Sequence, residues 1–373
     1  MQVRTEAELV ELCDRVLAGE VELGGGDPLG EAFCRLRDPA SRRRRGATYT
    51  PLPVVRAMVD WAAGEVAEPG RVVDPGCGSG RFLVEAGRRF PGAQLIGVEI
   101  DPVAARCARA QLAAAGLGER ATVVEGDYRD APLPDPAPAR PTLFVGNPPY
   151  VRHHDIEPRW KSWLGRTARR RGLPASKLAG LHVHFVLATA ERARDGDVGC
   201  FITAAEWLDV NYGVLPRALL AGALGAVRVD LVDARTQLFA DAQTTSVIVG
   251  FRPGETARSL RVRTVTRASD LAELAGGRRV TRRRVAASQR WSELTRPPRL
   301  RPQLTVGELF RVHRGQVTGA NRIWIASDEA PPVPARWRRP AITRARELID
   351  AAPVVDRLDR LRRVVDLPGD LDQ

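Results

Sequence analysis

Asn147-Pro148-Pro149-Tyr150 is the stretch whose residue types point most directly to chemistry. An exocyclic amine on a heteroaromatic ring is a poor nucleophile, because its lone pair is delocalised into the ring. The amide oxygen of Asn147 and the main-chain carbonyl of Pro148 can accept the two N–H bonds of such an amine. That draws the nitrogen toward tetrahedral geometry and localises its lone pair for in-line attack. Pro148 and Pro149 fix the backbone so that the carbonyl points outward rather than into a helix. Tyr150 offers an aromatic face to a flat substrate. Taken alone, Asn-Pro is an ordinary turn; its context decides otherwise.

That context begins at Asp74-Pro75-Gly76-Cys77-Gly78-Ser79-Gly80, between a β-rich run and a helical one. Glycines such as Gly76 and Gly78 let a ligand approach the backbone closely. The turn alone suits nicotinamide and flavin enzymes as well. Glu99, ending the next β-rich run, can accept both hydroxyls of a ribose. Asp127, after the third run, can accept from the amino group of an adenine ring, with Ile100 and Tyr128 flanking that ring. Asp74 would lie near an amino-acid ammonium group. The order glycine turn, acid, acid matches S-adenosyl-L-methionine better than a dinucleotide.

The elements that must position these residues are legible as alternation. Residues 71–74, 94–99, 121–125, 142–146, 198–203, 228–232 and 244–251 read as seven strands, and 80–90, 102–115 and 183–194 as helices. This is the pattern of an open, mostly parallel α/β sheet. Residues 132–141 are proline-rich and read as a loop. Residues 151–180 show no clear periodicity; so long an insertion after an active-site strand is expected to be a substrate-facing loop or lid. One or two helices are expected before the sheet. After Pro253 arginines multiply and apolar runs shorten, so a domain boundary is placed there.

The chain has 373 residues and a formal net charge of +12. Lys161 and Lys177 are the only lysines, and alanine, glycine and arginine abound, so part of the basic excess reflects GC-rich coding. The arginine clusters at 42–45, 169–171 and 278–284 are more telling than the total, and together favour a polyanion partner. No apolar stretch is long enough to span a bilayer, and no secretory leader is evident, so the cytoplasm is the default location. Five scattered cysteines without a C-x-x-C pair, and five histidines no better placed, suggest neither disulfides nor a metal site. A methyltransferase acting on carbon-5 of cytosine would need a Pro-Cys nucleophile, which is absent. A fused nuclease would need clustered acids with a nearby lysine, and neither lysine lies in an E-x-K triplet.

These motifs resemble those of amino-group DNA methyltransferases of the gamma arrangement, adenine-specific and of restriction-modification type. In that group the cofactor motifs precede the catalytic loop and a target-recognition domain comes last. The resemblance covers residues 45–252 and rests on Asp74 to Gly80, Glu99, Asp127 and Asn147 to Tyr150. Gly46-Ala47-Thr48-Tyr49-Thr50-Pro51 is similar to the group's motif before the sheet, which implies that Thr48 and Thr50 help cover the methionine end of the cofactor. Thr236-Gln237-Leu238-Phe239 is similar to a later element whose aromatic residue, here Phe239, stacks on the far face of an extruded base. The run 310–321 is similar to the linker that opens the recognition domain.

The resemblance implies a Rossmann-like class I S-adenosylmethionine-dependent methyltransferase, with a seven-stranded, mostly parallel sheet and a small basic C-terminal domain. It implies methyl transfer to N6 of adenine in double-stranded DNA by base flipping. Expected domains are an N-terminal helical segment (1–41), the methyltransferase domain (42–253) and a partial target-recognition domain (254–373). The last is shorter than is usual for the group, which implies a reduced domain or a separate specificity or restriction subunit. The same loop serves methyltransferases of release-factor glutamine and of guanine N2 in ribosomal RNA, so those readings stay open, as does a DNA-binding subunit without activity. Three features weigh against the first two: the Thr-Tyr-Thr-Pro motif, the insertion at 151–180 and the basic C-terminal part.

Overall fold

The computed structural model describes residues 3–37, 49–135, 140–236, 238–239, 245–255, 259–297, 321–326, 333–350 and 357–367. The chain divides into two compact units, Met1–Pro298 and Arg299–Gln373. No described helix is long and apolar enough to cross a membrane.

The first unit opens with α1 (Glu6–Leu17) and α2 (Pro28–Leu36), capped by the side chains of Thr5 and Asp27, each satisfying an orphan N–H of its first turn. Helix α3 (Leu52–Glu65) leads to β1 (Arg71–Asp74), α4 (Arg81–Arg89) and β2 (Gln94–Glu99). Helix α5 (Pro102–Ala114) combines an Asp101 cap with proline at its first position, where a missing N–H costs nothing. Strands β3 (Ala121–Glu125) and β4 (Thr142–Gly146) follow. Then come α6 (Pro158–Arg170), α7 (Leu181–Arg192), β5 (Val198–Ala204) and α8 (Val214–Ala221). Strands β6 (Ala226–Val232), β7 (Ser246–Phe251), β8 (Ser259–Val265) and β9 (Arg278–Thr281), with the short helix α9 (Arg282–Ala287), complete the unit.

The strands form one sheet in the order β3-β2-β1-β4-β5-β7-β6-β8-β9. Pairings from β3 through β5 are parallel, and β7 runs antiparallel between β5 and β6. Strands β4, β5 and β7 are buried along their whole length, as sheets covered on both faces require. Two apolar clusters cover the two faces, and a third joins α1 and α2 to α5 through Leu9, Cys13, Phe33 and Cys107. Chain direction reverses its lateral progress between β1 and β4. Ligands of open α/β sheets bind at such a switch point, beyond the strands' C-terminal ends.

The Rossmann-like sheet expected from the sequence is present, with two corrections. The sheet has nine strands rather than seven, because β8 pairs parallel with β6 and β9 antiparallel with β8. The compact unit therefore continues to Pro298 instead of ending at Pro253. Leu260 and Val262 are buried in β8 with exposed Arg261 between them, and Val265 is buried at its end after Arg263 and Thr264, so the arginines interrupted the apolar signal of a strand. Residues 151–180 are also not a bare loop: α6 buries Trp160, Leu164, Thr167 and Ala168 against the core.

Arginines inside and outside the basic clusters of the sequence are paired within the chain. Arg228 and Arg263 both pair with Asp230, which is fully buried. Arg278 donates to the carbonyls of Leu294 and Arg296, and Arg170 and Arg171 pair with Glu191. The cluster at 42–45 lies outside the described residues.

The second unit contains α10 (Asn321–Trp324), β10 (Ile325–Ala326), β11 (Arg338–Ala341), α11 (Ala345–Asp350) and β12 (Arg362–Val365). Its strands form an antiparallel sheet in the order β10-β12-β11. Of the linker-like run 310–321, only Asn321 is described.

Candidate active site

A cavity opens where β1, β2, β3 and β4 end. Asp74, closing β1, is 1% exposed, and its Oδ2 has no hydrogen-bond partner among the described residues. Burial holds its carboxyl well above the usual carboxylate range, since a charge removed from water is costly until a counter-charge arrives. Its position depends on Gly146 at the end of β4: a Cβ there would lie 2.4 Å from Asp74 Oδ1. Beyond Asp74 the glycine turn needs left-handed backbone at Gly78 (φ +54°) and Gly80 (φ +89°), a conformation glycine adopts without steric cost.

Glu99 does more than the sequence suggested. Its Oε2 accepts from Gly78 N and its Oε1 from Asp101 N, both at 2.9 Å. The acid ending β2 thus braces the turn that follows β1, while still lining the cavity. Burial raises its pKa, against the lowering effect of those two N–H groups. Ile100 lines the rim with 62% of its surface exposed. Asp127 lines the cavity after β3, its carboxylate held by the Arg129 guanidinium. Tyr128 is 1% exposed; its hydroxyl lies 3.2 Å from Thr189 Oγ1 and its ring 5.4 Å from that of Phe185.

The loop after β4 reaches the same cavity. Asn147 and Pro149 line it, and Asn147 Nδ2 donates to Thr50 Oγ1 at 3.1 Å. The motif before the sheet is therefore tied to the loop after β4. Thr50 is buried and its carbonyl accepts from Arg81 Nη1 at 3.0 Å; Thr48 lies outside the described residues. Pro148 is buried and Tyr150 half-buried. The Tyr150 hydroxyl makes no hydrogen bond among the described residues, and burial pushes its pKa up.

Phe239 is not brought to this site. It is 6% exposed in the apolar cluster that contains Val232, Ile248, Val265 and Leu271. Its ring gains more from that burial than from facing solvent, and it does not line the cavity.

Other residues came to the site without a signal in the motifs. Phe33 and Arg37, one helical turn apart at the end of α2, line the cavity; Arg37 pairs with Glu6 and Asp101 and lies over the Phe33 ring. Asp27 joins this segment to the glycine turn, accepting from Ser79 Oγ at 2.5 Å and from Arg81 Nε. Tyr49 packs beside Gly78, with Arg81 over its ring. The i, i+4 spacing of Phe33 and Arg37 was the available clue, and it reads equally as an ordinary helix face.

Helix α7 carries His182 and His184, both buried, with no partner for either Nε2 among the described residues. Burial lowers their pKa values to about 4 and about 3 from an ordinary 6.5. In the unfolded chain both take up protons near pH 6.5, whereas the folded chain binds them only near pH 4 and below. Stability is therefore whole above pH 6.5 and declines as pH falls toward 4. For His182 the loss at pH 4 is on the order of 3 kcal/mol. The thermal midpoint is expected to drop through that window, and His182→Leu to flatten the pH profile; an unchanged slope would contradict the assignment.

Comparison with known proteins adds an independent line. The family described as "Methyltransferase domain" matches residues 72–141. The type II methyltransferase M.XamI of Xanthomonas campestris pv. amaranthicola is 45% identical over 402 residues, covering 100% of this chain and 76% of that protein. The tRNA1(Val) (adenine(37)-N6)-methyltransferase of Porphyromonas gingivalis is 36% identical over 118 residues, covering 31% of this chain and 45% of that one. Among solved structures, the type IIG restriction endonuclease BpuSI superposes with a TM-score of 0.56 at 17% identity, covering 98% of this chain and 46% of that chain; at that identity the likeness concerns the fold.

Proposed function

The chain belongs to the S-adenosyl-L-methionine-dependent type II methyltransferases of restriction-modification systems, and from that membership we propose that it methylates N6 of adenine in double-stranded DNA. The observation that carries this reading is the meeting of the Asn147–Tyr150 loop and the acid-lined cavity in one space, with Asn147 and Pro149 in its wall.

The cavity's residues suit the cofactor. Asp74 offers a buried, unpartnered carboxylate oxygen, as an ammonium group requires. Glu99 would take the ribose hydroxyls, Asp127 the purine amino group, Thr48 and Thr50 the methionine end, and Ile100 and Tyr128 the faces of the purine. Gly76 and Gly78 allow close approach. S-adenosyl-L-methionine, when bound, supplies an electrophilic methyl group on a sulfonium.

The chain's own contribution is positioning and electrostatics. Asn147 Oδ1 and the Pro148 carbonyl would accept the two amino hydrogens of the base, and Pro149 would keep that carbonyl turned outward. The base must leave the helical stack to reach them, at a cost of a few kcal/mol. Tyr150 would offset part of that cost by stacking, worth about 1–3 kcal/mol. Tyr150→Ala is therefore expected to lower turnover and base binding by roughly tenfold or more, and Tyr150→Phe far less. Steady-state kinetics on both variants would check this; equal losses would show that the hydroxyl, not the ring face, matters.

A partial target-recognition role for the unit Arg299–Gln373, or a separate specificity or restriction subunit, would supply sequence selection. The reading is tested by offering duplex DNA, ribosomal RNA and a release factor together with labelled S-adenosyl-L-methionine. Label in DNA is expected. Label in RNA or protein would instead favour one of the other amino or amide substrates, and cofactor binding without transfer would favour a DNA-binding subunit.

A further inference from the structure

We propose that Arg129 is the positioning residue through which this chain reads the purine of its cofactor, by holding the Asp127 carboxylate as an acceptor for the purine's 6-amino group. The inference rests on the role proposed above for Asp127.

The two side chains are locked together. Arg129 Nε donates to Asp127 Oδ1 at 2.8 Å, Arg129 Nη2 donates to Oδ2, and the Arg129 backbone N donates to Oδ1 at 3.0 Å. Both side chains are largely removed from solvent, at 6% and 13% exposure. A carboxylate has roughly four lone-pair sites, and Arg129 fills three of Asp127's. What remains is a narrow acceptor capacity, and both residues line the cavity. Such a group is suited to one donor in one direction rather than to whatever donor arrives.

The clamp is itself clamped. The Arg129 guanidinium lies 3.8 Å from the ring centroid of Trp160, and its Nη1 is 3.4 Å from His184 Nδ1. The His184 ring stacks on Trp163, at 6.1 Å and 16°. Burial keeps His184 neutral, so its Nδ1 can accept from Arg129 with the ring proton on Nε2. Both tryptophans belong to α6, in the insertion that follows the catalytic loop. That insertion thereby acts on the cofactor's purine from behind, through a cation–π contact and a planar fork that lysine cannot reproduce.

The test measures binding, not turnover. Calorimetry on the full chain gives Kd for S-adenosylhomocysteine and for its analogue with purine in place of adenine, which lacks only the 6-amino group. The unaltered chain is expected to prefer the amino form by about tenfold or more, as a charged acceptor left unpaired requires. Arg129→Lys should erase most of that preference by weakening the amino form while leaving the purine form unchanged. Trp160→Leu, which removes the platform under the guanidinium, should act in the same direction to a smaller degree, and serves if Arg129→Lys does not fold. Equal weakening of both ligands, or no change in either, would overturn the proposal. Asp127→Ala separates the two layers. If it abolishes the preference while Arg129→Lys keeps it, the role of Asp127 stands and that of Arg129 falls. If Asp127→Ala retains the preference, the reading of Asp127 itself is wrong.

Discussion

Methyl transfer to duplex DNA is expected to fall by about 10²–10³-fold in Asn147→Ala, the scale seen when one preorganised polar group is withdrawn from a developing charge. In the proposed mechanism the Asn147 amide oxygen takes one of the two amino hydrogens, and the Pro148 carbonyl alone cannot hold both. Cofactor binding should change little, because the Asn147 side chain donates to Thr50 Oγ1 and no cofactor group is assigned to it in this mechanism. Single-turnover kinetics and a calorimetric Kd separate the two effects. Loss of both together would mean that Asn147 holds the cofactor rather than the amine.

The second large effect concerns Asp74 and has two signs. Asp74→Asn is expected to weaken cofactor binding by on the order of 3 kcal/mol, as when one partner of a buried, hydrogen-bonded charge pair is lost; that is about a hundredfold in Kd. The same change should leave the cofactor-free chain as stable or more stable. Asp74 is buried with Oδ2 unpartnered, and an amide of the same shape avoids burying a charge. Thermal unfolding with and without S-adenosylhomocysteine would show a higher midpoint without ligand and a smaller shift on adding it. A variant that is destabilised without ligand yet binds normally would remove Asp74 from the ammonium site.

The central strands were legible because burial on both faces forces unbroken apolar runs: residues 142–146 read as a strand and β4 is Thr142–Gly146. The acids at 99 and 127 were legible for a related reason, since each closes or follows a strand and lines the cavity, while Asp74 closes β1 and is buried. Strands β8 and β9 were not, because arginines dilute their apolar runs and the cluster containing Arg278 and Arg279 favoured a polyanion partner, whereas Arg263 pairs with buried Asp230 and Arg278 donates to the Leu294 carbonyl. Helix α6 was missed because its buried face is carried by Trp160, Leu164, Thr167 and Ala168, a stripe diluted by arginine. Phe239 was placed by analogy at a base-stacking position and lies in the core instead. The partnership of Asp127 with Arg129 was visible only as a two-residue spacing; its meaning depends on α6, thirty residues on, and that packing is not written in any local pattern.

The most direct test of the account identifies the atom that receives the methyl group. Duplex DNA treated with the purified chain and S-adenosyl-L-methionine, digested to nucleosides and resolved by mass spectrometry, should contain N6-methyladenine, formed about 10²–10³-fold more slowly by Asn147→Ala. Appearance of N4-methylcytosine in its place would leave the catalytic loop standing and contradict the choice of base, and 5-methylcytosine would contradict the amino-group mechanism altogether.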